Sequence, residues 1–367
     1  MSSPFEIHSR VTAIDPLRYV AVIPDGWQQG RGAFGGLVLS VLLRAMMGAE
    51  PDARRAVRSV SGDVCAPVLP GPVEVEVTVL RRGRTLTNLD ARMVRDGEVL
   101  ARASAVLSEA RSLHLEATPD APPPACDWRS IEAVPIAPPF APVFTQHFEF
   151  RNVGPMPFSS HPRAVTDGFV CERVKPDSLD APALVGLIDA WWPAVFTSCD
   201  GPRAAVTTSF TAQILADPAA LDAREPLRYR ARAVAAWEGF SVEFRDLWSG
   251  DTLVALNQQT FAMLGEPSPR PSPAKRERVP VGGWNALTPA LSRQSREREF
   301  EHQHLRPPLA SSNARASSNA RASSNALASL NSLSRLCRER AGVRAFQPPT
   351  GTLSRFAGEG RGEGQGD

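Results

Sequence analysis

The sequence contains no run of about 18 apolar residues free of charge, the length that a helix needs to cross a bilayer. The segment MSSPFEIHSR at its start does not have the basic and then apolar order of a signal peptide. The cysteines are scattered without CxxC or CxxH spacing, which argues against a structural zinc site and for a reducing compartment. These absences predict a cytoplasmic protein that spans no membrane and binds no metal.

Lysine is also scarce, with only Lys175 and Lys275 beside many arginines. The formal net charge of +2 hides an uneven distribution, because residues 1–265 carry 25 basic and 30 acidic side chains. Residues 266–367 carry 16 basic and 9 acidic side chains. A mildly acidic body is not typical of nucleic-acid-binding proteins, so no nucleic-acid partner is expected.

The first part of the chain predicts a buried helix enclosed by antiparallel strands. Leu37–Met47 is apolar on most faces, which is typical of a helix inside a fold. A glycine-rich loop over residues 25–36 precedes it, and Pro72–Arg81 alternates as a half-buried strand does. The predicted strands of this half are Arg18–Ile23, Val57–Val68, Pro72–Arg81, Arg84–Val94 and Glu98–Glu109.

The same order of segments recurs in the second part of the chain. Ala181–Ser198 (APALVGLIDAWWPAVFTS) predicts a second helix that is apolar nearly all round. A shift of 154 residues places Val99–Ala101 over Leu253–Ala255, which predicts a duplicated domain. The predicted strands of this half are Val143–Arg151, Gly168–Val174, Arg203–Leu215, Pro226–Trp237, Phe240–Trp248 and Thr252–Leu264.

Proline and low complexity distinguish the remaining segments. Residues 111–142 contain PDAPPPAC and PIAPPFAP, and proline favours extended chain over ladder hydrogen bonds. Residues 266–367 contain a threefold SSNARA-like hexad and a glycine-rich end, a composition that does not offset the entropy of ordering. We therefore predict an N-terminal domain over 1–110, a linker over 111–142, a C-terminal domain over 143–265 and a disordered tail over 266–367.

One carboxylate, Asp189, lies in the middle of the apolar 181–198 segment. Burial of a carboxylate is costly unless the group is paired, hydrogen-bonded or protonated. Desolvation would raise its pKa and make it a stronger base, which favours a catalytic role. A structural role stays open, in which Asp189 accepts hydrogen bonds from the indole N–H groups of Trp191 or Trp192.

The chain resembles the acyl-CoA thioesterase II group, whose members have a double-hotdog fold. The resembling segments are GWQQGRGAFGGLVLSVLLRA, PGPVEVEVTVLRRGRT and VRDGEVLARASA, followed by LIDAWWPA, AVTTSFTAQI and LWSGDTLVALNQQTFAM. The resemblance covers about residues 5–264 and implies an α+β fold of two antiparallel sheets, each wrapped around a central helix. It implies hydrolysis of acyl-CoA to fatty acid and CoA without a cofactor, and we expect a homodimer or higher homo-oligomer.

In that family an Asp, a Thr and a Gln hold the attacking water. By resemblance these residues are Asp189, Thr207 and Gln259. Thr208 and Gln258 adjoin two of them, and a slip of one residue in a strand would reverse which face each side chain occupies. The choice within each neighbouring pair therefore stays open at this point. Attack of Asp189 itself on the thioester carbonyl stays open as an alternative to its role as a base.

Three further residues are expected to bind substrate. Gly35 and Gly36 precede the first helix, where backbone N–H groups could approach the oxyanion of the thioester. Trp191 is expected to shorten the acyl pocket. In the repeat, Gln259 corresponds to Ala105. The first half thus lacks the catalytic set, which predicts one site per chain.

Two other functions stay open. A hotdog dehydratase or hydratase would need a histidine near the acid, and neither predicted helix contains one. A non-catalytic acyl-CoA-binding protein would keep the acyl channel but would not need the Asp, Thr and Gln set.

Overall fold

Two sets of six antiparallel strands meet edge to edge and form a twelve-stranded sheet in the computed structural model of the protein. The structure describes residues 2–112, 121–136 and 141–264, and the predicted tail and two stretches of the predicted linker lie outside these residues. Each half of the described chain encloses one buried helix, which confirms the α+β double-hotdog fold.

The helices and strands are numbered in chain order. The helices are α1 (Pro4–His8), α2 (Gly35–Gly48) and α3 (Ala181–Asp189). The strands up to the linker are β1 (Thr12–Asp15), β2 (Arg18–Ile23), β3 (Gln28–Gln29), β4 (Gly32–Ala33), β5 (Ala56–Val64), β6 (Gly71–Arg82), β7 (Leu86–Arg95) and β8 (Glu98–Ser108). Those after it are β9 (Phe148–Asn152), β10 (Val165–Glu172), β11 (Ala204–Ile214), β12 (Leu227–Trp237), β13 (Phe240–Ser249) and β14 (Thr252–Leu264).

The strand order reflects the repeat in the sequence. It reads β1-β2-β6-β7-β8-β5-β11-β14-β13-β12-β10-β9, so the two halves mirror each other about the β5–β11 junction. β13 begins and ends 154 residues after β7, which is the shift found in the sequence. β3 and β4 form a separate small hairpin in the glycine-rich loop that leads into α2. The junction joins both half-sheets behind the two helices, which pack against each other.

The two central helices are apolar because they are enclosed. Most residues of α2 are buried, and its Ser40 hydroxyl donates a hydrogen bond to the Pro182 carbonyl at 2.9 Å. Asp180 caps α3 by accepting the Ala183 N–H at 2.8 Å. Gly62 on β5 permits close packing, since a Cβ there would lie 2.5 Å from Leu39 Cδ2 of α2. Within the described part of the chain, no helix is long and apolar enough to span a bilayer.

The second helix is shorter than its apolar pattern indicates. The prediction of one helix over residues 181–198 is wrong beyond Asp189, where α3 ends. Pro193 has no N–H to donate, and it disfavours helical backbone at Trp192 before it. The chain then forms a 3₁₀ helix over Ala194–Ser198. Asp189 therefore lies at the C-terminus of the helix and not in its middle.

Two other sequence predictions need correction. The predicted strand over Val143–Arg151 begins only at Phe148, because its first five residues form a 3₁₀ helix. α1 was not expected from the sequence, although Ser3 caps it by accepting the Glu6 N–H at 3.1 Å. So short a helix depends on tertiary contacts. The Phe5 ring covers α3 at Gly186, where a Cβ would lie 2.3 Å from it.

A second buried carboxylate, Glu172, lies at the end of β10 near α1. It is 4% exposed. Burial, together with the nearby Asp180 and Glu6, raises the pKa of Glu172 from 4.5 to about 7, although the Ser3 hydroxyl opposes this rise. The folded protein therefore retains a proton on Glu172 that the unfolded chain has already lost between about pH 4.5 and 7. Folding stability should fall with rising pH across that window.

We expect Glu172→Gln to stabilise the protein at pH 8 by about 2–3 kcal/mol and to change little at pH 4.5, because an amide carries no charge to desolvate. Urea unfolding at both pH values measures the difference. Glu76→Gln on the exposed face of β6 is the control for loss of a negative charge. An equal effect of Glu172→Gln at both pH values would contradict the assignment.

Candidate active site

Asp189 faces the first turn of α2 and is 9% exposed. A Cβ on Gly35 would lie 3.1 Å from Asp189 Oδ2, and a Cβ on Gly36 would lie 3.1 Å from Asp189 Cβ. The backbone N–H of Gly36 lowers the pKa of this carboxyl. Helix N-termini favour negative charge, because their first N–H groups lack intrahelical acceptors and the helix dipole is positive there. The start of α2 therefore stabilises the ionised form of Asp189.

Two polar side chains of the sheet extend this contact. Gln259 on β14 donates a hydrogen bond from Nε2 to Asp189 Oδ1 at 2.8 Å. Thr207 on β11 donates from Oγ1 to Gln259 Oε1 at 3.4 Å. An amide oxygen that accepts from Thr207 leaves the NH₂ group to donate to Asp189. The structure thus brings the three predicted residues together in one chain of hydrogen bonds.

The strand register separates these residues from their neighbours. Gln259 is fully buried, whereas Gln258 is exposed on the outer face of the sheet. Thr208 is also exposed and donates to the Thr260 carbonyl at 3.0 Å. A bulge between Thr207 and Ser209 makes room for Thr208 as an extra residue in β11. Only the Thr207 and Gln259 members of the two pairs contact the Asp189 network.

Two charged residues that the sequence analysis did not identify lie beside Asp189. Arg245 on β13 donates from Nη1 to the carbonyls of Ile188 at 3.0 Å and Asp189 at 3.3 Å, and Nη1 is 3.7 Å from Asp189 Oδ1. Its Nε donates to Glu243 Oε1 at 2.6 Å. Glu243 Oε2 in turn accepts the Ala194 N–H at 2.7 Å. Both charged side chains are 1% exposed or less.

The β13 sequence, FSVEFRDLWS, groups this pair on one face of the strand but predicts the wrong face to be buried. Its alternation places Phe240 and Phe244 on one face and Glu243 and Arg245 on the other. A pattern of this kind predicts that the phenylalanines face the core. The structure has the opposite orientation, with Phe240 51% and Phe244 43% exposed.

Trp191 lies in the core of the second half, within an aromatic cluster. Its ring stacks on Tyr229 with centroids 4.9 Å apart and contacts Phe150 edge to face at 5.3 Å. A Cβ on Gly168 of β10 would lie 2.5 Å from the same ring. The indole is 2% exposed and contacts this aromatic cluster, so its expected place in an acyl pocket stays a prediction.

Opposing effects set the charge of Asp189. Burial raises the pKa of its carboxyl above the ordinary value, while Arg245, the Gln259 amide and the Gly36 N–H lower it. Burial likewise raises the pKa of Glu243, and the Arg245 guanidinium opposes this rise. The result is a desolvated carboxylate with several donors directed at it, which is the environment of a base.

The surroundings of Gly35 define one side of this carboxylate. Gly35 is half-buried, and among the described residues the only atom outside its own chain segment within 4 Å of a Cβ placed on it is Asp189 Oδ2. Among the described residues, no group of His, Cys, Asp and Glu is arranged to hold a metal ion.

Comparison with known proteins agrees with the fold. The Alicyclobacillus acidocaldarius protein of unknown function with a hot dog fold is 25% identical, with a TM-score of 0.64 over 73% of this chain and 100% of its own. An acyl-CoA thioesterase II from Mycobacterium marinum is 17% identical, with a TM-score of 0.57 over 72% of this chain and 99% of its own. No curated protein matched the chain.

The family models give the more specific result. Residues 23–108 match the acyl-CoA thioesterase N-terminal domain, and residues 116–263 match the acyl-CoA thioesterase C-terminal domain. Together the two models cover more than half of the chain in the order that the fold shows. The chain is therefore a thioesterase and belongs to the acyl-CoA thioesterase family.

Proposed function

We propose that this protein hydrolyses acyl-CoA thioesters to a fatty acid and CoA, with Asp189 as the base that activates water. The observation that supports this proposal best is the chain of hydrogen bonds from Thr207 through Gln259 to the buried Asp189 carboxylate. A thioester is already an activated acyl group, so its hydrolysis needs a held water, a base and donors for the oxyanion. These groups meet where α2, α3 and the sheet converge.

In the proposed reaction, a water molecule lies against Asp189 Oδ2 and is oriented by Gln259 and Thr207. Gln259 has a second N–H, and the Thr207 hydroxyl has lone pairs available to accept a hydrogen bond. As the water oxygen bonds to the thioester carbonyl carbon, Asp189 takes one water proton and the carbonyl oxygen becomes an oxyanion. Collapse of this intermediate breaks the C–S bond, and the departing CoA sulfur takes up the proton from Asp189.

The oxyanion needs a donor of its own, since the Gly36 N–H favours the Asp189 carboxylate. Gly35 is the first residue of α2, and its N–H has no intrahelical acceptor. Gly35 is half-buried and lies close to Asp189 Oδ2. We assign the Gly35 N–H as the oxyanion donor, because hydrogen bonds directed at developing charge lower the barrier.

The two alternative functions fit this site less well. A hydratase or dehydratase mechanism would use a histidine beside the acid, and neither α2 nor α3 contains one. A binding protein would need an acyl channel but no buried carboxylate with dedicated donors. The homo-oligomer and the cytoplasmic location stay predictions of the sequence analysis.

We expect Asp189→Asn to lower kcat/KM for acyl-CoA hydrolysis by about 10³-fold, because the amide cannot take a proton from water. Release of CoA thiol, followed over a panel of acyl-CoAs of increasing chain length, measures the loss. Asp63→Asn is the control, since Asp63 pairs with Arg102 at 2.8 Å away from the network. Full activity of Asp189→Asn would contradict the assignment. Failure of the unmodified protein to release CoA at any chain length would favour the binding protein.

The strand register provides a second test with matched pairs. Thr207→Val and Gln259→Leu should each lower kcat by about 10²-fold, because each removes a hydrogen-bonding group from the water site. Thr208→Val and Gln258→Leu change the neighbouring exposed residues in the same way and should leave kcat within about twofold. Steady-state kinetics on the four variants decide the matter. A reversed pattern would mean that the other face of the sheet carries the site.

A further inference from the structure

We propose that Arg245 and Glu243 act as a positioning pair for Asp189, in which Arg245 fixes the end of α3 and the charge of the carboxylate while Glu243 holds Arg245 in place. This inference rests on the proposed function. It concerns two buried residues of β13, of which Arg245 lies near Asp189 Oδ1 and the last carbonyls of α3.

The contacts of Arg245 explain how one side chain does both tasks. Nη1 is bonded to the carbonyls of Ile188 and Asp189, the last two residues of α3, and lies 3.7 Å from Asp189 Oδ1. The C-terminus of a helix has unpaired carbonyls and a negative dipole, so a cation is favourable there. A guanidinium offers several N–H donors in a rigid plane, and this allows it to bind carbonyls and a carboxylate at once.

Glu243 determines where Arg245 can lie. Its Oε1 accepts from Arg245 Nε at 2.6 Å, and its Oε2 accepts the Ala194 N–H at 2.7 Å. Ala194 begins the 3₁₀ helix that follows α3. The Glu243 carboxylate thus connects Arg245 to the chain just after α3. Because each of its oxygens accepts a hydrogen bond, the side chains of Glu243 and Arg245 are held in one orientation.

The first half of the repeat shows that the fold does not need this pair. A shift of 154 residues places Glu243 over Leu89 and Arg245 over Ala91, and β7 and β13 have matching bounds. Leu89 and Ala91 are 0% and 1% exposed, so the equivalent positions are buried in both halves. Apolar residues occupy them in the half whose helix carries no acid. The buried ion pair therefore occurs in the half that contains Asp189, and the shared fold does not require it.

The energetics of buried ion pairs also argue against a purely structural role for Arg245 and Glu243. Desolvation of two buried charges offsets most of their attraction, so a buried ion pair is weak evidence for stability and a neutral pair of similar size is often tolerated. Removal of only one partner leaves an unpaired buried charge, which is strongly destabilising. A test must therefore neutralise both residues together.

Other charged groups near Asp189 are few among the described residues. β13 contributes Arg245 and Glu243, and β12 contributes the phenol of Tyr229, which is buried and neutral at ordinary pH. β14, β11 and α2 contribute only uncharged groups, namely the Gln259 amide, the Thr207 hydroxyl and the Gly36 N–H. Among these groups Arg245 is thus the one cation, and it favours the ionised form of Asp189.

The experiment compares the full chain with the double variant Glu243→Gln/Arg245→Met. A pH titration of the Asp189 side-chain carboxyl, followed by ¹³C NMR on aspartate-labelled protein and assigned with Asp189→Asn, does not depend on turnover. We expect the midpoint to rise by about one pH unit or more, because an opposite charge close to a carboxylate lowers its pKa by that amount. The acidic limb of the kcat/KM profile should move in the same direction. An unchanged midpoint would overturn the inference.

The matched control is Arg230→Met/Asp246→Asn, which neutralises an ion pair at 2.9 Å on β12 and β13. It should leave the Asp189 midpoint unchanged, and an equal rise there would also overturn the inference. Arg245→Lys covers the case in which the double variant does not fold. Lysine keeps the charge but not the plane of donors, so we expect an unchanged midpoint and a kcat lowered by about tenfold at constant KM. An unaltered kcat would contradict the positioning role.

The titration also separates this inference from the proposed function. If the unmodified protein releases no CoA, the proposed function fails, while the Asp189 midpoint still decides the role of Arg245. If the protein hydrolyses acyl-CoA and Asp189→Asn does not, but the double variant titrates as the unmodified protein does, only the positioning pair is refuted.

Discussion

The arrangement of the second half depends on keeping one carboxylate charged inside an apolar core. Asp189 loses its water to the packing of α2 against α3, and this burial raises the pKa of its carboxyl. Donors from three directions counter this: the N-terminus of α2, the amide of Gln259 and the guanidinium of Arg245. Each comes from a different element, so the fold must bring a helix start, a helix end and two strands to one point. The junction of the two half-sheets achieves this.

Because the domain is duplicated, the two halves can have different roles. The first half supplies α2, whose glycine start approaches the carboxylate, and it buries Leu89, Ala91 and Ala105 where the second half has Glu243, Arg245 and Gln259. Apolar residues at those positions pack without a desolvation penalty. One half can therefore stabilise the sheet while the other carries the charged network. This asymmetry agrees with the prediction of one site per chain.

Much of this could be predicted from the sequence, and the exceptions have physical causes. Apolar periodicity identified both central helices and the lone acid, because burial of a long apolar run leaves few alternatives. Apolar periodicity predicted too long a helix α3, because Pro193 affects only the residues just before it and this local effect does not change the apolar pattern. It also could not identify Arg245, because alternation shows which residues share a face and not which face is buried. Arg245 faces the core, where it binds the carbonyls of Ile188 and Asp189, which are distant in sequence. The phenylalanines of β13, which suggest the opposite orientation, face outward.

The central claim is that Asp189 acts as a base on water and does not attack the thioester itself. A single turnover in ¹⁸O-labelled water, with enzyme in excess of acyl-CoA, tests it most directly. If Asp189 is the base, the heavy oxygen enters the released fatty acid and the Asp189 peptide keeps its natural mass. Heavy oxygen in the carboxylate of Asp189 would show that it forms a covalent acyl intermediate, and this would contradict the account.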